Sequence, residues 1–211
     1  MPIQIGQILL ENKIITQAQL EIALHEKSLS PGKYLGQILC DMGVPQVKII
    51  KALYYNNKRK AMGKILTDLA VITPEQLDRA LGEQKSLRTR LGVRKPIGSY
   101  LVELGFISTN DYMKALSIHF TMPIIPLENF QVITEFQKAL GEKYTYYHKI
   151  IVIQNNPNVI KVALAEPDFF IIEELEKALP IGKEIFFHLA SLSEIELAFE
   201  RKYDLQMANS K

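Results

Sequence analysis

Residues 61–84, AMGKILTDLAVITPEQLDRALGEQ, decide the fold, because three other segments repeat their pattern. A short apolar run containing Gly63, Ile65, Leu66 and Leu69 reaches a break at Ala70 and Val71. Thr73-Pro74-Glu75-Gln76 then has the form of a helix start: a hydroxyl N-cap, proline at the first helical position, and a glutamine three residues after the threonine to close a capping box. Leu77, Ala80 and Leu81 follow at helical spacing and face back onto the first helix. The segment reads as a helical hairpin. Such a unit cannot bury its own apolar face, so copies must stack.

The copies align on one glycine. Gly6 opens GQILLENKIITQAQLEIALHEK, Gly36 opens GQILCDMGVPQVKIIKALYYN, Gly63 opens GKILTDLAVITPEQLDRALGEQ and Gly98 opens GSYLVELGFISTNDYMKALSIH, at spacings of 30, 27 and 35 residues. Thr16, Thr73 and Ser108 supply hydroxyl caps for the second helices, and the second copy has Pro45 instead. An Ala-Leu pair ends each second helix: Ala23-Leu24, Ala52-Leu53, Ala80-Leu81 and Ala115-Leu116. Ser28-Leu29-Ser30-Pro31-Gly32 is a turn by composition, and residues 56–60, NNKRK, are a polar joint between two pairs of hairpins. Within the second pair, residues 85–95, KSLRTRLGVRK, read as the longest connection. They form a basic loop with Lys85, Arg88, Arg90, Arg94 and Lys95 and no acid. Its alternatives are a solvated surface or an anion-binding one, the latter for a nucleotide phosphate, an acidic partner or an anionic lipid.

After Phe120 the pattern changes. Residues 121–127, TMPIIPL, read as an extended linker. A helix is expected over about 134–146, a β-hairpin from residues 149–154 and 159–164 around Asn155-Asn156-Pro157-Asn158, and a helix starting at Pro167-Asp168. A third strand at 184–190 and a final helix capped by Ser193 complete an α-β-β-α-β-α order. The fold class is therefore α+β: four tandem helix hairpins followed by a small α/β sandwich. The division is 1–57 for the first pair of hairpins, 58–120 for the second, 121–204 for the α/β module and 205–211 for a disordered tail.

Bulk properties exclude several classes. The chain has 211 residues, 47% hydrophobic content and a formal net charge of +2, enough for real cores and no strong global pull on a nucleic-acid polymer. Cys40 is the single cysteine, at a packing position on its first helix, and is expected to be an inert thiol. No signal peptide opens the chain and no apolar run reaches membrane-spanning length, so a cytoplasmic protein without membrane insertion is expected.

No catalytic constellation appears, and an enzyme is not expected. Gly182-Lys183-Glu184 lacks the earlier glycine and the hydroxyl of a phosphate loop. No His-x-x-x-His or Cys-x-x-Cys pair suggests a metal. His25 and His119 fall at helix C-termini and His148 and His188 at strands, all read as structural. Tyr144, Tyr146 and Tyr147 read as amphipathic packing, and Glu166-Pro167-Asp168 as a strand-to-helix turn.

The repeat, followed by HFTMPIIPLENF, KIIVIQNNPNVIKVALAEPDFFIIEELEKAL and IFFHLASLSEIELAFERKY, resembles the N-terminal domain of bacterial type II secretion and type IV pilus assembly ATPases, the GspE/PilB/MshE group. The resemblance covers about residues 3–204. The strand end Leu164-Ala165-Glu166-Pro167 departs from that family's pattern by Glu in place of Asp. The hexameric P-loop ATPase that follows in the family is absent from this sequence. The chain therefore reads either as an excised N-terminal piece or as a stand-alone relative.

The resemblance implies two functions. One is a non-catalytic protein-interaction or regulatory module whose partner is an inner-membrane secretion or pilus platform protein, or an assembly ATPase. The alternative is a receptor for cyclic di-GMP, bound as a ligand with no other cofactor. The family's motif of Arg-Leu-Gly followed by apolar residues and a later Gly transfers in part. Ile5, Gly6, Leu9 and Leu10 pair with Leu35, Gly36, Leu39 and Gly43, while Gly63 and Gly98 mark the second pair. The Arg positions hold Gln4, Tyr34, Ala61 and Pro96 instead, and Lys33 or Lys95 would substitute as point charges. Arg88, Arg90, Arg94 and Lys95 are the candidates for a partner or anion surface.

Overall fold

A computed structural model describes residues 5–30, 33–56, 59–92, 95–128, 130, 140–178 and 182–208. It contains the four expected hairpins: α1 (Ile5–Glu11) with α2 (Gln17–Leu29), α3 (Leu35–Asp41) with α4 (Gln46–Tyr55), α5 (Met62–Asp68) with α6 (Pro74–Leu91), and α7 (Ile97–Glu103) with α8 (Thr109–Phe120).

One backbone device ends the first helix of every hairpin. Ile14, Val44, Val71 and Phe106 donate their N–H to the carbonyls of Leu9, Leu39, Leu66 and Leu101, five residues back. The residues just before them, Lys13, Gly43, Ala70 and Gly105, donate three residues back. This is a Schellman closure, which needs a left-handed residue. Those four residues have φ of 55°, 88°, 54° and 69°. Thr16 and Thr73 then close capping boxes, and the Asp111 N–H donates to Ser108 Oγ at 3.1 Å. Pro45 makes no side-chain cap, and its turn is one residue shorter.

The repeat glycines are packing contacts. A Cβ on Gly6 or Gly63 would stand 2.6 or 2.7 Å from Leu20 or Leu77, and on Gly98 it would strike the Tyr112 ring. Each partner lies 14 residues on, in the second helix of the same hairpin. Gly36 departs from this: its neighbour is Thr121, beyond the repeats.

The α/β module contains α9 (Glu142–Tyr147), β1 (Ile150–Asn155), β2 (Val159–Leu164), α10 (Phe169–Lys177), β3 (Glu184–Leu189) and α11 (Leu192–Ala208). The sheet order is β1-β2-β3, with β1 antiparallel to β2 and β3 parallel to it, and the register slips between Val152 and Gln154. The Asn156 side chain accepts from the Asn158 and Val159 N–H groups and sets the hairpin turn. One sheet face packs Ile151, Ile153 and Ala163 against Ile195, Ala198 and Phe199 of α11. The fold is α+β, as the sequence implies.

Residues 1–58 and 120–211 form one compact unit, and residues 59–119 form a second. The first pair of hairpins and the α/β module, read from sequence as successive segments, thus belong to one unit, and the second pair is inserted between them in the chain.

Three readings need correction. The basic stretch at 85–95 is not a loop over most of its length. Nothing between Gln84 and Leu91 breaks a helix, so α6 continues to Leu91 and stops at Gly92 with φ 68°. The hydroxyl that starts α11 is Ser191, not Ser193: Ser191 Oγ accepts from the Glu194 N–H at 3.3 Å while Glu194 bonds back to the Ser191 N–H at 3.0 Å. The tail expected to be disordered from residue 205 is helical to Ala208, since Leu205, Gln206, Met207 and Ala208 are good helix formers with no stop among them. Most of the helix expected at 134–146 lies outside the described residues.

Candidate functional site

The Gly36 neighbourhood joins the hairpins to the sheet. Gln46, the first residue of α4, is 2% exposed. Its Nε2 donates to the Thr121 and Phe187 carbonyls at 3.0 Å each, and its Oε1 accepts from the Phe187 N–H at 2.7 Å. The side-chain amide therefore acts as a short length of strand on the outer edge of β3. The 121–127 segment continues that cover: Ile125 N–H donates to the Leu189 carbonyl at 2.9 Å and Leu189 N–H to the Pro123 carbonyl at 2.8 Å. An edge that would otherwise invite pairing is closed. Thr121 is buried with φ 58°, an uncommon state for a β-branched residue. It is held there by its carbonyl bond to Gln46 and by seating on the bare Gly36 backbone.

Beside this junction lies an open cavity of about 330 Å³ lined by Lys33, Gln37, Cys40, Asp41, Thr121, Pro123 and Ile124. Lys33 Nζ and the Asp41 carboxylate meet at 2.8 Å across its rim, and that hydrogen bond raises the lysine pKa. Burial, with help from Asp41 and Glu184, pushes the Cys40 thiol up to about 12. A thiol so far from ionising is a poor nucleophile.

The sequence-derived ligand residues are distributed across both units. Leu9, Leu35 and Leu39 share one buried core, against which Leu10 packs, while Ile5 and Gly43 are exposed. Gly6 and Gly36 lie buried in that unit. Gly63 and Gly98 belong to the other, where Leu77 and Tyr112 occupy them. Lys95 is committed to an ion pair with Glu103, and its carbonyl accepts from Gln84 Nε2 at 2.6 Å. Arg88 and Arg90 are exposed on the last turn of α6. Arg94 lies outside the described residues.

A second surface was not visible in the sequence. Tyr54 of α4 stacks on Phe169 of α10 with centroids 3.5 Å apart, and Tyr55 meets Phe169 edge-on at 5.4 Å. The buried Phe169 thereby meets two exposed rings edge-on, Tyr55, 65% exposed, and Phe170, 63% exposed, the latter at 6.1 Å. Tyr55 Oη donates to Glu173 at 2.7 Å, and Lys51 pairs with Glu176. Nothing in the local sequence signals this, because Tyr55 and Phe170 are 115 positions apart.

The histidines serve structure. His119 Nδ1 lies 2.8 Å from the Lys60 carbonyl, and burial, with nearby Arg59, lowers its pKa. Burial and then Lys161 do the same to His188, whose Nδ1 is buried without a hydrogen-bond partner. Among the described residues no group of three His, Cys, Asp or Glu could hold a metal, and no helix is long and apolar enough to cross a membrane.

The comparisons support the resemblance to the N-terminal regions of secretion and pilus assembly ATPases. A family model described as the MshEN domain matches residues 120–209, the α/β module. The type IV pilus assembly ATPase PilB of Myxococcus xanthus (strain DK1622) is 27% identical over 143 residues, which are 67% of this chain and 24% of PilB. The chain thus spans about a quarter of that relative's length. The structure of MshE with cdg, cyclic di-GMP, matches with a TM-score of 0.57 and 27% identity over 68% of this chain and 99% of that one. The N-terminal domain of XpsE matches with a TM-score of 0.50 and 17% identity over 67% and 92% of the two chains, a likeness of fold alone. The chain is homologous to the N-terminal regions of PilB and MshE, and its residues 120–209 match the MshEN domain.

Proposed function

We propose that this chain is a non-catalytic interaction and regulatory module of a bacterial type II secretion or type IV pilus system, working in the cytoplasm against an inner-membrane platform protein. The family matches support the setting. The observation that carries the docking role is the aromatic face of Tyr55 and Phe170. Two large rings are fixed in place by the Tyr54–Phe169 stack and bordered by Glu173 and Glu176. Pre-set aromatic anchors lose little freedom on binding and dominate interface energetics. Exposed rings suit a partner segment that presents Arg or Lys, whose cations can lie over them.

The test is titration of the purified chain with the cytoplasmic region of a secretion or pilus platform protein from the same organism. Tyr55→Ser with Phe170→Ser should weaken binding by at least about tenfold, the scale of a ~1.4 kcal/mol hot spot. Unchanged affinity in the double variant would refute the assignment of this face.

A second reading, cyclic di-GMP reception at the Gly6/Gly36 pair, is favoured by the likeness to MshE with cdg and by the cavity beside Gly36. It has to overcome the missing arginines: each lost charged donor costs about 1.5–3 kcal/mol. Lys33, the nearest substitute, is already paired with Asp41. Calorimetry with cyclic di-GMP decides it. Heat at micromolar ligand, abolished by Lys33→Glu on the exposed cavity wall, where the Gly36–Thr121 packing is untouched, establishes the receptor reading; no heat removes it.

A further inference from the structure

We infer that the C-terminal overhang of α6 is a docking site for an anionic lipid surface. The buried residue of α6 is Ala80, yet the helix runs on about three turns to Leu91. Over this overhang the helix loses its packing. Ala80 is buried, Gln84 and Leu87 are half-buried, and Leu91 on the same face is 68% exposed. Leu81, 42% exposed, starts a second stripe in which Lys85 and Arg88 fall at i+4 and i+7, and Arg88 borders Leu91 from one side. Arg90 flanks Leu91 on the other side. An uncovered leucine therefore sits between two arginines, with a lysine one turn before.

The charge distribution selects the partner. Residues 85–95 carry five cations and no acid, while the whole chain is only +2, so the remainder is −3. Lys95 has a carboxylate partner in Glu103. Lys85, Arg88 and Arg90 are exposed to solvent. Helix-end polarity favours cations here, which explains the helix but not the bare leucines. Cations around exposed apolar side chains suit a surface that is anionic outside and apolar beneath, where the arginine stems can extend to the headgroups as leucine enters the interface. A soluble polyanion would satisfy the charges and leave the leucines in water.

Co-sedimentation of the whole chain with vesicles tests this. Binding is expected to vesicles of mixed phosphatidylglycerol and phosphatidylcholine and not to pure phosphatidylcholine. Each arginine near such a surface changes partitioning about 5-fold, so Arg88→Gln with Arg90→Gln should lower it roughly 30-fold. The charge-matched control Lys48→Gln with Lys143→Gln, on other exposed surfaces, should have little effect. Leu91→Gln should weaken the binding that survives raised salt. Circular dichroism of each variant separates lost binding from lost folding. Equal binding to both vesicle types overturns the proposal. So does retention on poly-glutamate as strong as on vesicles and indifferent to Leu91→Gln, which would instead mark an acidic protein partner.

Discussion

At the scale of single residues, the repeat has one demand that the sequence meets unevenly. The position seven after each repeat glycine must be left-handed, and it is Gly in two copies but Lys13 and Ala70 in the others. A left-handed L-residue costs about 1–2 kcal/mol, and the extra freedom of an unfolded glycine offsets about half. Ala70→Gly and Lys13→Gly should therefore each stabilise the protein by ~0.5–1 kcal/mol, seen as a higher urea midpoint at unchanged slope. Gln46 lies at the opposite extreme. Gln46→Ala would leave the Phe187 N–H and carbonyl and the Thr121 carbonyl buried without their partner, at about 1–3 kcal/mol per group, so a loss of at least ~3 kcal/mol is expected in denaturant melts. Gln46→Glu should fare no better, because a carboxylate faces two carbonyls it cannot donate to.

At the scale of elements, the hairpins were legible because their stops and starts are local chemistry: the apolar run, the turn, the hydroxyl cap and its glutamine all lie within one short window. Helix length was not. The acid-free basic run at 85–95 reads as a connection, which would end α6 near Gln84, but cations are good helix residues near a C-terminus and the helix continues. Glu83 meanwhile anchors this stretch by accepting from Arg79 Nε at 3.0 Å and from Tyr100 Oη of α7 at 3.2 Å, the second a contact that no window of α6 alone contains. Gly82 has open space where a Cβ would go. Gly82→Ala should accordingly stabilise the second hairpin pair by about 0.5–1 kcal/mol, in contrast to Gly98→Ala, where the Tyr112 ring must move and a loss is expected. The candidate site was legible to the same limited degree. Gly36 was found by pattern, whereas its partner Thr121 and the Gln46 clamp depend on contacts 85 and 75 positions away.

At the scale of the whole molecule, two half-buried imidazoles contribute to the acid side of the stability profile. His119 and His188 have folded pKa values below that of an unfolded histidine, so the unfolded chain binds more protons between the two. Stability is then full above about pH 6.5 and falls as pH drops through the folded values. His188→Gln should flatten that slope in melts compared at about pH 7.5 and about pH 5.5. The larger architectural consequence concerns the second hairpin pair. Its entry and exit meet: the Lys60 carbonyl and His119 Nδ1 are 2.8 Å apart, so residues 59–119 leave and rejoin the chain at one point, as an inserted domain does. The contacts that hold the other unit, Gln46 to Phe187, Gly36 to Thr121 and Tyr54 to Phe169, all lie outside that segment. Replacing residues 59–119 by a short Gly-Ser bridge should therefore leave a protein that unfolds cooperatively and keeps the platform-protein affinity assigned to Tyr55 and Phe170. The excised segment, expressed alone, should show a helical circular-dichroism spectrum and retain the vesicle binding assigned to Arg88, Arg90 and Leu91. A bridged protein without a cooperative transition would show that the first pair and the α/β module need the inserted hairpins to fold.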